Sequence, residues 1–258
     1  MNFFNIISSI TNRRGVLTNT NPIRMLVIGD SIANGTNENG VGENEPPNPD
    51  FSITGHANPD TLFEWDGSQL LETENDIIDA NNGSMHPSFA NKIKEITGRK
   101  THIIETATGG DGMATGKPNN WASEGNRYAP MLVKANSYLQ NQGVASFTFI
   151  KITGGTNDVY TTTLIQEVEA DFFNLVDRLH TDFPNTKISW SNIALRTERM
   201  MQINQIIQKV VDQDPLVYIG ESVDNYYPDL MFDGVHMTQE GNNIFGEADA
   251  VIINNTIL

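Results

Sequence analysis

The chain of 258 residues contains no cysteine. Disulfides, a thiolate nucleophile and cysteine-ligated zinc are therefore excluded, and redox chemistry says nothing about compartment. It also has no apolar run approaching the roughly 20 residues that cross a bilayer, so a membrane-spanning protein is not expected. Basic residues are few: 16 Lys and Arg stand against 32 Asp and Glu, a formal net charge of −16. Long-range repulsion disfavours nucleic acid and anionic membrane surfaces as partners. No run of Lys or Arg offers a local basic patch for a polyanionic glycan, so an uncharged or cationic substrate is easier to accommodate. The mildly apolar residues 3–10 lack a basic segment before them and have Arg13-Arg14 after them, which does not read as a classical signal peptide. A soluble protein is expected, cytoplasmic or part of an extracellular or virion assembly.

What is present fits one catalytic-sized domain. A hydrophobic content of 38% over this length supports a sizeable core. We divide the chain into an N-terminal extension, 1–22, and one domain, 23–258. From Ile23 onward, short runs rich in Ile, Val, Phe and Thr alternate with longer amphipathic patterns, the sign of parallel strands joined by crossover helices. Five parallel strands are expected, at 23–29, 101–107, 146–153, 187–194 and 216–220. Helices are expected at 87–97, stopped by Gly98, and at 128–142, stopped by Gly143. Further helices follow from Leu164 to Pro184, at 198–211 and at 246–253. Residues 36–84 break this rhythm, being rich in Asn, Asp, Glu, Gly and Pro and far longer than an ordinary βα connection. They read as a polar insertion after the first strand and a candidate cover for a substrate site, with Asp66-Gly67 marking a hairpin.

The chemistry lies in four segments. A serine hydroxyl becomes a nucleophile only with a base in hydrogen-bond reach and donors for the oxyanion it creates. Ser31, in Gly29-Asp30-Ser31, directly follows the first strand, where a parallel sheet presents loops to a crevice. Gly110, in Gly109-Gly110-Asp111-Gly112 after the second strand, offers a closely approaching backbone N–H, and Gly109 and Gly112 lie near enough to offer the same. Asn157, after the third strand, carries an amide donor for the same oxyanion. His236 has Asp233 three residues earlier, so a short turn can bring the carboxylate to Nδ1 and leave Nε2 for the serine proton. His56, His86, His102 and His180 have no acidic partner at this spacing. Each segment alone is equally an ordinary turn or cap.

In this order and each after a strand, Gly-Asp-Ser-Ile, Gly-Gly-Asp-Gly, Gly-Thr-Asn-Asp and Asp-Gly-Val-His resemble the four blocks of the SGNH (GDSL-type) hydrolase superfamily. The resemblance runs from about Ile23 to about Gly246. It implies a flavodoxin-like three-layer αβα sandwich, with Ser31 as nucleophile, His236 as base and Asp233 as its orienter. It further implies an oxyanion hole of the Ser31 and Gly110 N–H groups and the Asn157 amide, with no metal or organic cofactor. The Gly-x-Ser-x-Gly elbow of α/β-hydrolases is absent.

The hairpin around Trp65, the segment 83–91 and the stretch from Trp121 into Tyr128 resemble the carbohydrate O-acetylesterase branch, including sialate-O-acetylesterase-like enzymes. The Gln-Gly-Glu-x-Asp block of that branch is replaced here by Gly154-Gly-Thr-Asn-Asp158. Trp65, Trp121 and Tyr128, with Phe63, are candidate flat faces for sugar rings, and Asn119, Asn120 and Asn126 candidate partners for hydroxyls. The expected reaction is removal of a short acyl group, acetyl for choice, from a glycan or other small ester. The alternatives are a lipase or thioesterase acting on longer chains, and a non-catalytic glycan-binding module. Arg196, after the fourth strand, is either a contact for a substrate carboxylate or an ordinary surface ion pair.

Overall fold

The computed structural model describes residues 20–34, 56–73, 84–231 and 233–258. Nearly all of the N-terminal extension, residue 35, and 36–55 and 74–83 of the polar insertion lie outside them. The sheet has seven strands: β1 (Ile23–Gly29), β2 (Leu62–Trp65), β3 (Leu70–Glu72), β4 (Thr101–Glu105), β5 (Phe149–Thr153), β6 (Lys187–Trp190) and β7 (Val217–Ile219). Their spatial order is β3-β2-β4-β1-β5-β6-β7. All neighbours are parallel except β2 and β3, which form the Asp66-Gly67 hairpin.

The five expected parallel strands are all present, and the count rises to seven because the insertion adds two at one edge. The part of the insertion that is described therefore extends the sheet. Asp66 builds the turn by accepting from the backbone N–H of Ser68 (2.7 Å) and Gln69 (2.8 Å).

Helices cover both faces, which is why β1 reads as a continuous apolar run from Met25 to Ile28. Leu26 and Ile28 point into one layer with α3 (Tyr128–Gln142), α4 (Ile165–Asp182) and α5 (Glu198–Gln213). Met25 and Val27 point into the other, with α2 (His86–Thr97) and α6 (Gln239–Thr256). The result is the three-layer αβα sandwich, and the alternation of layers follows from the period-2 geometry of a strand. A four-residue helix, α1 (Ser31–Asn34), leaves β1 directly.

Sequence patterning places α6 seven residues too late, because Gly241, Asn242, Asn243 and Gly246 weaken the apparent helix. In the fold Thr238 caps it, its side chain accepting from the Gly241 N–H. Gly246 lets α2 pack closely: a Cβ there would lie 2.3 Å from the Met85 carbonyl oxygen. Among the described residues no helix is long and apolar enough to cross a membrane.

Candidate active site

The site forms at the carboxyl ends of β1, β4 and β5, the natural crevice of an open parallel sheet. β1 leaves the sheet through Gly29, where a Cβ would sit 2.1 Å from the Thr153 carbonyl oxygen of β5. Only glycine allows this approach. Asp30 then turns inward and is fully buried, its carboxylate accepting from the backbone N–H of Ile32 (3.0 Å) and Thr156 (3.2 Å). That side chain thus ties the exits of β1 and β5 together beneath Ser31.

Ser31 is itself 6% exposed, and its Oγ lies 2.8 Å from His236 Nε2 although 205 residues separate them. His236 Nδ1 lies 2.6 Å from Asp233 Oδ2. The other Asp233 oxygen accepts from the N–H groups of Val235 (2.7 Å) and His236 (2.8 Å), so a turn of four residues holds His236 and Asp233 as one unit. The structure therefore brings Ser31, His236 and Asp233 into a continuous chain. Neither His86, which meets Glu105, nor His180, which meets Asp214, bonds a serine hydroxyl through its ring. Both gain their acidic partners from distant parts of the chain, which spacing along the sequence does not reveal.

Asn157 begins a single 3-10 turn after β5, and its side-chain nitrogen is buried with no hydrogen-bond partner among the described residues. An unsatisfied buried amide costs roughly 1–3 kcal/mol, so it is a donor in want of an acceptor. Gly110 is exposed on the β4 loop at φ +83°, a backbone conformation suited to glycine. Gly112 is differently occupied: its N–H donates to the Asn119 carbonyl (3.1 Å) and its Cβ position is crowded by Lys117, Ala114 and Asp158.

Asp158, beside Asn157, accepts from the N–H of Met113 (2.9 Å) and Ala114 (2.9 Å) and so anchors the Gly110 loop to β5. Burial raises its pKa to about 7, with Asp30 adding like-charge repulsion. Burial likewise raises Asp30 to about 6, against the lowering effect of the Ile32 N–H. Asp233 moves the other way: burial pushes it up, but the bonds from the His236 ring and from two backbone N–H groups outweigh this and hold it at about 2. Asp30 and Asp158 were not singled out as site residues from sequence. Their signal is position, an acid directly beside the serine and one directly beside the amide.

The aromatic candidates are corrected. Trp65 (1% exposed), Trp121 (0%) and Tyr128 (3%) are core residues with no face for a sugar. Each satisfies its polar atom inside: Trp65 donates to Ser137 Oγ, Trp121 to the Gly29 carbonyl (3.0 Å), and Tyr128 to Asp182. Large rings bury most apolar area, and their single polar handle is no barrier once paired. Trp121 thereby braces the turn that carries Ser31.

No protein-family profile matches the chain, and no curated protein matches it by sequence. Solved structures do match by shape. A protein from Arabidopsis thaliana aligns over 92% of this chain and 100% of its own, at TM-score 0.70 and 14% identity. A carbohydrate acetylesterase from Xanthomonas citri aligns over 91% of this chain and 56% of its own, at TM-score 0.59 and 11% identity. NanS aligns over 93% and 98%, at TM-score 0.61 and 10% identity. The fold is shared. At these identities the likeness concerns the path of the backbone, and the side chains of the site stand on their own geometry. Among the described residues no group of three or more His, Cys, Asp or Glu is placed to hold a metal ion.

Proposed function

We propose that the chain is a serine ester hydrolase that removes short acyl groups, acetyl for choice, from a carbohydrate through an acyl-enzyme. The observation that carries this reading is the Ser31–His236–Asp233 chain, with contacts of 2.8 Å and 2.6 Å. In the reaction, His236 Nε2 takes the Ser31 proton as Oγ attacks the ester carbonyl. Asp233 holds the ring in the tautomer with Nδ1 protonated and stabilises the imidazolium that forms. The developing oxyanion is received by the N–H groups of Ser31 and Gly110 and by Asn157 Nδ2. His236 then protonates the leaving alcohol, and a water activated by the same base releases the acid and regenerates Ser31.

The substrate class rests on different support. A cavity of about 330 Å³ on the β4 side is lined by Asn34, one turn beyond Ser31, by Thr106 and Thr108 from the Gly110 loop, and by Arg127 and Lys134, with Ala107, Pro130 and Met131 forming an apolar wall. Its polar groups can meet the hydroxyls of an alcohol, and its apolar wall a short acyl group or a ring face. A carbohydrate acetylesterase shares the fold. With Trp65, Trp121 and Tyr128 in the core, sugar recognition does not use these three rings. Hydrolysis of p-nitrophenyl acetate much faster than of the octanoate, lost in Ser31→Ala, and acetate release from acetylated polysaccharides test the proposal. Equal rates on both esters would point to a lipase or thioesterase. Failure of a fluorophosphonate probe to label Ser31 would point to a non-catalytic binder.

A further inference from the structure

Residues 108–111 carry Gly110, and the chain on either side of them is clamped to the fold. Before them, the N–H and Oγ of Thr106 donate to the Val27 carbonyl of β1 (3.1 and 2.6 Å), and Asn34 Nδ2 donates to the Ala107 carbonyl (3.1 Å). After them, the Trp121 N–H donates to the Gly112 carbonyl (3.0 Å), and Asp158 takes the N–H groups of Met113 and Ala114. Between the clamps the turn closes weakly, with the Asp111 N–H group's nitrogen 3.4 Å from the Thr108 carbonyl oxygen. With Gly109 before it and Gly110 at φ +83°, this backbone has little stiffness of its own.

A side chain from outside the turn supplies it. Arg127, which directly precedes α3, donates from Nη2 to Asp111 Oδ1 (2.9 Å), and its Nε lies 2.6 Å from Oδ2. One guanidinium thus meets both carboxylate oxygens across 16 residues of chain. The Arg127 backbone is itself fixed, its N–H donating to the Asn120 carbonyl (3.3 Å) and its carbonyl accepting from the Met131 N–H (3.2 Å). Stability does not explain the pair. Taking two charges out of water costs about as much as their attraction returns, and apolar residues of similar volume often serve as well or better. Asp111 is buried, and this lifts its carboxyl above the ordinary range even against the lowering effect of Arg127. What a planar donor fork adds over apolar packing is a fixed orientation.

We infer that Arg127 is a positioning residue for the ester hydrolysis: by gripping both oxygens of Asp111 it fixes the turn that aims the Gly110 N–H at the oxyanion. This rests on the ester-hydrolase reading above. A misplacement of about 1 Å in such a group can cost on the order of 100-fold in rate, so a flexible glycine turn needs an external tie. Arg127 also lines the cavity beside Ser31, so the competing role is a direct contact to substrate. The two differ in what they act on. A positioning residue acts on the transition state of any ester, neutral ones included, whereas a substrate contact acts on binding.

The test uses the double variant Arg127→Met with Asp111→Leu, which removes both charges and leaves neither stranded. Its thermal midpoint should stay at or above that of the wild type. Its kcat for p-nitrophenyl acetate should nevertheless fall about 10- to 100-fold with KM within about twofold, the mark of an interaction made in the transition state. Phenyl trifluoromethyl ketone should lose affinity by a similar factor. Its carbonyl carbon takes Ser31 Oγ, the hydroxyl proton passes to His236, and the carbonyl oxygen becomes the oxyanion, so it reports the aim of the donors directly. Arg127→Lys, which keeps a charge on Asp111 but at one point only, should lose kcat and ketone affinity by an intermediate factor; it carries the test if the double variant does not fold. Wild-type kcat in either folded variant, or a loss confined to KM with ketone affinity unchanged, overturns the inference, and the second result makes Arg127 a substrate contact. Absence of Ser31-dependent hydrolysis of p-nitrophenyl acetate by the wild type overturns the underlying hydrolase reading instead, so the two failures are separable.

Discussion

The proposed nucleophile and the proposed base of this site are held by contrasting means. Ser31 and Asn157 stand on the exits of the two central strands, over Asp30 and Asp158, both fully buried, and against the buried indole of Trp121. His236 stands on a partly exposed turn whose order comes from one carboxylate, Asp233, bonding three donors of its own segment. The first half draws its geometry from the whole sheet, so disturbing it should affect stability and catalysis together. The second draws its geometry from four residues, so its chemistry should be removable with the fold intact.

The strongest way to break this contrast is Asp233→Asn. We expect a loss of about 10,000-fold in kcat, since the amide favours the wrong tautomer of His236, with the thermal midpoint within a few degrees of wild type. A large fall in the midpoint on calorimetry would show that the turn is structural after all. Asn157→Ala should cost about 100- to 1,000-fold in kcat, the usual effect of losing one oxyanion donor, with KM for p-nitrophenyl acetate little changed. It should not destabilise, because its buried amide nitrogen has no partner to lose among the described residues.

Trp121→Phe tests the other half. It leaves the Gly29 carbonyl without its donor and should cost about 1–3 kcal/mol in denaturant unfolding, with a simultaneous fall in kcat as the Ser31 turn relaxes. A stable, fully active variant would detach the nucleophile from the core.

The smallest effect concerns pH, and its sign differs between the halves. Asp158 is raised to about 7 in the fold, so the stability it contributes is fully present below about 4 and is lost as pH rises through 7. Asp30 acts alike up to about 6. Asp233 is lowered to about 2, so its contribution is present above about 4 and is lost as pH falls toward 2. Asp158→Asn should therefore flatten the decline of the thermal midpoint between pH 4 and 7, whereas Asp233→Asn should flatten its decline below pH 4.

Much of the fold was legible because its signals are local. Periodicity marks β1 and α3 at the residues where they occur, and Asp66-Gly67 marks a hairpin. That the hairpin adds to the main sheet was not legible, since strand pairing with β4 depends on a segment more than thirty residues on. The start of α6 was missed for a related reason: its glycines lower helix propensity, and the packing against α2 that makes them useful is a tertiary contact. The aromatic residues misled because an indole placed between Asn and Ala reads as surface until the Gly29 carbonyl is known to lie above it.

Sequence alone determined the parts of the site. The strand-end positions of Ser31, Gly110 and Asn157, and the spacing of Asp233 and His236, are properties of short segments, in which turn chemistry and side-chain type suffice. Tertiary structure alone decided their relations: that His236 Nε2 faces Ser31 and not a solvent-exposed acid, that Asp30 and Asp158 lie buried beneath the site, and that Trp65 and Trp121 are core. These depend on which groups are brought together and shut off from water, and burial converts the chemistry of single residues into that of a site.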